Sequence, residues 1–391
     1  MKKEEQFLIA VCKAYLNQTV IRIDDEINFE SFYETAREHN LLAIAFCVLK
    51  NSDNKNVIPP DVYKKFEDSF YETIIRYDAQ SRVILELDHV LSKNNIKHIF
   101  FKGSEIREYY PVKEARAMGD IDILIEAENR NTVKNILTDN GYQLKNSNGP
   151  VYDYIKNGVL IEMHTKIISG KIGNSDAEAY FANAFEHAEF DNCKSHLDTN
   201  YHFAYLIAHI AHHFWFYGAG IKLILDLAVM QKQFKIDYDI VFNILKAINL
   251  DHFAEIILAV CEKWFGTTDL FKADTSQTEI FIVSFGAFGN AKRNKAAVIQ
   301  RKELEEGKKN NSFLTRLRLL FPSYNKIKNI PYIKFIEGRP WLLPLAWIYR
   351  LIYNLKNKKE FIKEATKSLG SDETNDLAKK EFSYFEEIGL L

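Results

Sequence analysis

The apolar residues of this chain change period and then change back, and that double switch limits the folds open to it. Up to about residue 95, FESFYETAREHNLLAIAFCVLK and YKKFEDSFYETIIRYDAQSRVILELDHVLSKNN space apolar residues three and four apart with charges between, which predicts helices. Between residues 96 and 168 short runs take over. IKHIFFKG ends in glycine, DIDILIE alternates acids with apolar residues, and VYDYIKNG and VLIEMH flank Asn157-Gly158, the dipeptide of a tight hairpin. Helices are expected between these strands over 104–110 and 131–140, the second closed by Gly141. After the loop 169–175 the helical period returns in TNYHFAYLIAHIAHHFWFYG, IKLILDLAVMQKQF, YDIVFNILKAINL and HFAEIILAVCEKWFG. It fades after Thr267 until PWLLPLAWIYRLIYNL restores an amphipathic helix.

This is the pattern of an α+β protein. Its regions are a helical one over 1–95, a small α/β core over 96–175, a helical domain over 176–266 and a mostly helical remainder over 267–391 that carries a basic segment. With 391 residues there is enough chain for two or three cores.

The chemistry concentrates in the middle region. Asp120 and Asp122 alternate with Ile121 and Ile123, so on a strand both carboxylates share one face while the isoleucines enter the core. Two hard cations about 4 Å apart need oxygens held on a rigid element, and an Asp-x-Asp strand supplies them. The same alternation also describes an acidic edge facing water. What distinguishes this one is its setting: an apolar strand ends in Lys102-Gly103-Ser104, a helix starts at once, and the Asp-x-Asp strand comes next. Glycine admits close approach of phosphate oxygens, and a helix start presents free N–H groups to an anion. Glu162, between Ile161 and Met163, is the expected third acid, with Asp153 its competitor; His164 shares the strand face of Glu162.

FFKGSEIREYYPVKEARAMGDIDILIE, continued by LIEMH, resembles the polymerase β-type nucleotidyltransferase superfamily, and more closely a bacterial family of uncharacterised nucleotidyltransferases. In that family a Lys-Gly, a Tyr-Pro, an Arg shortly before Gly-Asp-x-Asp and a later Glu-x-His recur. The likeness covers residues 102–164 and continues faintly into the helices, where His209, His213, Lys222 and Asp226 fall at positions that carry His, His, Arg and Asp. It implies a small mixed-sheet polymerase β-like core with helical domains on either side. Asp120, Asp122 and Glu162 would be the catalytic, metal-holding acids for two Mg²⁺, with Mn²⁺ as a substitute. Gly103 and Ser104 would hold the triphosphate of an NTP donor, Lys102 or Arg116 would stabilise leaving pyrophosphate, and His209, His213, Lys222 and Asp226 would face the nucleotide. This chain departs from the pattern in having Gly-Ser where others have Gly-Gly, and fifteen residues between Ser104 and Asp120.

The remaining features constrain the partner without naming it. A formal net charge of −2 leaves no global field for nucleic acid, so an RNA acceptor would have to meet a local patch. The candidate patch is 292–328, with eleven Lys/Arg against Glu303, Glu305 and Glu306; a solvated basic surface explains it equally. The acceptor is therefore left open among a small molecule, a peptide or protein, and RNA, and a non-catalytic scaffold built on the same core is the rival from another class. His209 and His213 lie one turn apart, a spacing shared by zinc ligands, packing histidines and a polar wall facing a ligand. Lys222 and Asp226 are also one turn apart and could pair. The start, MKKEEQFLIAVCKAYL, lacks a continuous apolar stretch, four scattered cysteines suggest no disulfide framework, and no window offers the ~20 apolar residues of a membrane span, so a cytoplasmic protein without integral membrane association is expected.

Overall fold

Helices open the chain, as the spacing predicts: α1 (Lys3–Asn17), α2 (Phe29–Glu38), α3 (Leu42–Leu49) and α4 (Pro60–Lys93). In this computed structural model residues 1–24, 26–147, 149–286, 321–328, 330–357 and 372–391 are described. Asn28 starts α2 by accepting the Ser31 N–H at 3.0 Å, and Pro60 stands at the first position of α4, where no N–H is needed. The chain divides into two compact units, Met1–Ala291 with Leu390 and Lys292–Gly389 with Leu391.

The first unit is organised by a seven-stranded mixed sheet. In chain order come β1 (His98–Phe100), α5 (Gly103–Ile106), β2 (Asp120–Ile125), α6 (Arg130–Asp139), β3 (Gln143–Asn146), β4 (Val151–Lys156) and β5 (Val159–His164). After a short α7 (Ala177–Tyr180), a hairpin of β6 (Ala188–Asp191) and β7 (Lys194–Leu197) completes the sheet in the order β3-β4-β5-β2-β1-β7-β6. The centre pairs β2 parallel to β5 and antiparallel to β1. Asn157 and Gly158 have φ of 51° and 79°, so the turn between β4 and β5 takes the left-handed conformation at both central residues, as the sequence suggested.

Three strands escape the sequence reading. β3 is short, and β6 and β7 belong to a stretch expected to be helical; yet β7 pairs in parallel with β1 and carries the sheet past residue 175. Their sequences, QLKN, AEFD and KSHL, contain too few apolar residues to reveal a period of two. The helix expected over 104–110 is also shorter, one α-turn followed by the 3₁₀ turn Arg107–Tyr109.

One face of the sheet packs on helices. Ile121, Ile123, Ile125, Ile161 and Met163 meet Val83, Leu87 and Leu91 of α4 and Val133 and Leu137 of α6 in one buried cluster. At about 1.5–3 kcal/mol per fully buried aliphatic side chain, this layer fixes the register of β2 and β5, because a one-residue slip would turn the aspartates into the apolar layer and the isoleucines out of it. The opposite face, bearing Asp120 and Asp122, looks toward α8 (Thr199–Phe216) and α9 (Ile221–Gln233); α10 (Tyr238–Ala247), α11 (Asp251–Phe265) and α12 (Ser276–Ser284) follow.

In the second unit the helix Leu343–Asn357 sets Ala346 and Trp347 against Ile327, Ile333 and Ile336, while Leu345, Ile348 and Ile352 on its other side are exposed. Most of the basic segment, 292–320, lies outside the described residues. Among the described residues no helix is long and apolar enough to cross a membrane.

Candidate active site

Strand pairing alone brings the central acids together. In the parallel pair of β2 and β5, Asp122 lies directly opposite Glu162, and across β4 the partner of Glu162 is Asp153. Asp120 lies two residues before Asp122, on the same face. The side chain of Asp122 is 7% exposed and that of Glu162 31%, so one acid is sealed in and the other opens to the cleft.

Two cationic or hydrogen-bonding groups converge on the sealed one. Lys102 Nζ lies 2.7 Å from Asp122 Oδ1, and His164 Nε2 lies 2.9 Å from the same oxygen and 3.3 Å from Glu162 Oε2. Against the cost of its burial, Lys102 and His164 hold the Asp122 carboxyl at about 2. Asp120 goes the other way: burial and then the neighbouring charges of Asp122 and Glu162 raise its pKa. A proton or a cation would relieve the repulsion within this crowded set of carboxylates. Among the described residues, Asp122, Glu162 and His164 form the sole group of three or more His, Cys, Asp or Glu side chains able to share one ion, their donor atoms all within 4.8 Å; Asp120 falls outside that set.

The turn after β1 is strained. Lys102 has φ 52° and ψ −129°, a conformation that L side chains rarely adopt and that costs about 1–3 kcal/mol. It aims the ammonium across the end of β2. Gly103 is required by crowding, since a Cβ there would stand 2.8 Å from Arg116 Nη1 and 3.1 Å from Met118 Cγ. Ser104 is buried, and its hydroxyl accepts the backbone N–H of Asp122 at 3.1 Å, tying the turn to β2.

The far wall comes from α8 and α9. Asp226 receives Arg116 in a bidentate pair, Nε to Oδ1 at 2.8 Å and Nη2 to Oδ2 at 2.7 Å, and the Tyr110 hydroxyl donates to Oδ1 at 2.6 Å. Asp226, which the helical spacing would also have allowed to pair with Lys222, is thus held by Arg116, whose planar fork matches a carboxylate where a lysine would offer a point charge. Lys222 Nζ instead donates to the Ala117 carbonyl at 3.4 Å; burial and the nearby Arg116 charge bring its pKa down to about 8. His209 and His213 meet Nε2 to Nε2 at 3.1 Å. Burial, and then like neighbours, push His213 to about 3 and His209 well below its ordinary range, so both rings are neutral near pH 7, one nitrogen donating and the other accepting.

A cleft of about 370 Å³ is lined by Lys102, Gly103, Arg116, Asp120, Asp122, Glu162, His209, His213, Lys222 and Asp226. Of the residues singled out from the sequence, Ser104, His164 and Asp153 do not line it; Ser104 sits beneath the turn. The sequence reading passed over Met118, Leu206, Tyr217 and Leu223, which give the cleft its apolar patches; Tyr110 entered it only as the Tyr of the Tyr-Pro, and its part in the Arg116–Asp226 pair no spacing announces.

A mixed sheet that presents acids from paired strands beneath a Lys-Gly-Ser turn, roofed by two helices, defines a nucleotidyltransferase-type core. The chain matches the family described as uncharacterised nucleotidyltransferase over residues 25–266, and it belongs to that family. General nucleotidyl transfer is what this membership supports. No curated protein and no solved structure matches the chain.

Proposed function

We propose that the protein transfers a nucleoside monophosphate from an NTP to a hydroxyl acceptor, with Asp120, Asp122 and Glu162 holding two Mg²⁺. The observation carrying this reading is the position of Lys102: its ammonium rests 2.7 Å from Asp122 Oδ1, so the face that bears the acids already accommodates one positive charge. When bound, the two ions would lower the pKa of the attacking hydroxyl and neutralise charge on the departing oxygens.

The chain's own residues supply the rest. The acceptor oxygen bonds to the α-phosphorus, its proton passes to the carboxylate of Glu162, the more open of the two paired acids, and the bond to the β-phosphate breaks to release pyrophosphate. Lys102 turns from Asp122 to the phosphates, and Lys222 adds positive charge from the opposite wall. Arg116, committed to Asp226, serves as a rigid strut that keeps the loop before β2 in place. The neutral His209–His213 pair offers a donor and an acceptor to uncharged parts of nucleotide or acceptor.

Incubation with each α-labelled NTP, Mg²⁺ and cell extract tests this. Label should appear on protein, RNA or a small molecule, and Asp122→Asn should cut transfer by at least about 10²–10³-fold. Unlabelled products with all four NTPs would leave the scaffold reading in its place.

A further inference from the structure

We propose that His164 is itself a metal ligand, and that the Asp122–Glu162–His164 set makes this site favour Mn²⁺ over Mg²⁺. The proposal rests on the nucleotidyltransferase reading and narrows it, since it concerns which ion the same acids take.

The argument starts from the sheet. Because β2 and β5 run parallel with Asp122 opposite Glu162, His164, two residues further along β5, comes to the same face opposite Leu124. A side chain there could turn toward solvent. His164 instead is 5% exposed, and its ring stands edge-on to Phe101 with centroids 5.2 Å apart, which fixes Nε2 toward the acids.

The separations that now serve a hydrogen bond and an ion pair also suit ligand positions around one ion. Ligands at right angles around an ion with bonds of about 2.1–2.2 Å are separated by about 3 Å. Nε2 lies 2.9 Å from Asp122 Oδ1 and 3.3 Å from Glu162 Oε2, which are edge lengths of one coordination polyhedron. All three donor atoms fall within 4.8 Å of one another. Lys102 Nζ, 2.7 Å from the same Asp122 oxygen, marks that oxygen as the place where positive charge settles.

Donor type selects the ion. Mg²⁺ takes oxygen ligands almost exclusively, whereas imidazole nitrogen suits ions further along the first transition series. Mn²⁺ is the divalent ion at home with carboxylate and phosphate oxygens that also accepts a nitrogen. An acid pair lining the cleft, with one buried imidazole behind it, fits this ion best. Asp120, outside the set, is left for the ion that accompanies the nucleotide.

The test is pulsed electron paramagnetic resonance of full-length protein loaded with Mn²⁺ alone, prepared with natural-abundance and with ¹⁵N-labelled histidine. The expected result is a nitrogen coupling that changes with the label, disappears in His164→Asn and persists in His209→Gln. In parallel, calorimetry should find that His164→Asn weakens Mn²⁺ by more than about tenfold while changing Mg²⁺ by much less. Mn²⁺ bound without a histidine coupling in the wild-type protein, yet lost in Asp122→Asn, would overturn the proposal and leave the nucleotidyltransferase reading standing. Binding of neither Mn²⁺ nor Mg²⁺ by the wild-type protein, with or without an NTP, would overturn both. The wild-type spectra need no variant to fold.

Discussion

Removing the carboxylate of Asp226 should unfold the roof of the cleft before it affects any chemistry. Arg116 and Asp226 side chains are 5% and 4% exposed, and the carboxylate takes two guanidinium contacts at 2.7–2.8 Å and the Tyr110 hydroxyl at 2.6 Å. In Asp226→Ala a guanidinium and a phenol keep their burial and lose their partner. Breaking one side of a buried pair costs about 3–5 kcal/mol. For a unit of this size each kcal/mol lowers Tm by about 2–4 °C, so a fall of about 6–20 °C is expected in thermal denaturation followed by circular dichroism. The double variant Arg116→Met/Asp226→Leu, which removes both charges, should recover most of that loss. A fall of less than about 1 kcal/mol in Asp226→Ala would refute the strut assigned to this pair and return Arg116 to the phosphates.

Two further outcomes follow from the same geometry. Gly103→Ala places a methyl group 2.8 Å from Arg116 Nη1 and 3.1 Å from Met118, and should cost about 1–3 kcal/mol in urea unfolding. His39 is buried, its Nδ1 accepts the Ile221 N–H at 3.2 Å, and burial lowers its pKa from 6.5 to about 4. The folded state therefore resists a proton that the unfolded chain accepts below pH 6.5, so stability present above that pH is lost as pH falls to about 4. The 2.5-unit interval sets this loss at about 3 kcal/mol. His39→Asn, which keeps an acceptor and removes the proton site, should flatten that part of a stability-versus-pH curve; an unchanged slope would show that His39 does not carry it.

What the sequence disclosed and what it hid divide along physical lines. Ile121 and Ile123 alternate with the aspartates over a strand long enough for a period of two to show, and the structure buries both isoleucines completely. Asn157-Gly158 specifies its turn through local backbone preference, so no distant contact was needed to read it. β7 joins the sheet by pairing with β1, about a hundred residues earlier, and β6 joins through β7; their own residues carry little of that information. The same holds in the site. Ser104 has the residue type of a phosphate ligand, yet its hydroxyl serves the Asp122 N–H, a contact created only when the turn folds over the strand. Asp226 lies one turn from Lys222, but the loop before β2 delivers Arg116, whose geometry wins. His164 was visible as a neighbour of Glu162 on one strand; its contact with Asp122 depends on the register between strands.

The central claim is that the acids beneath the Lys-Gly-Ser turn bind a nucleotide through a divalent cation. Its most direct test is thermal stability of the wild-type protein and Asp122→Asn with a non-hydrolysable NTP, each with and without Mg²⁺ or Mn²⁺. A ligand at a hundred times its Kd adds about 2.7 kcal/mol to stability. The account predicts a rise of about 5–11 °C for the wild type only when nucleotide and metal are both present, and no rise for Asp122→Asn. An equal rise in both proteins, or none with any NTP, would contradict it.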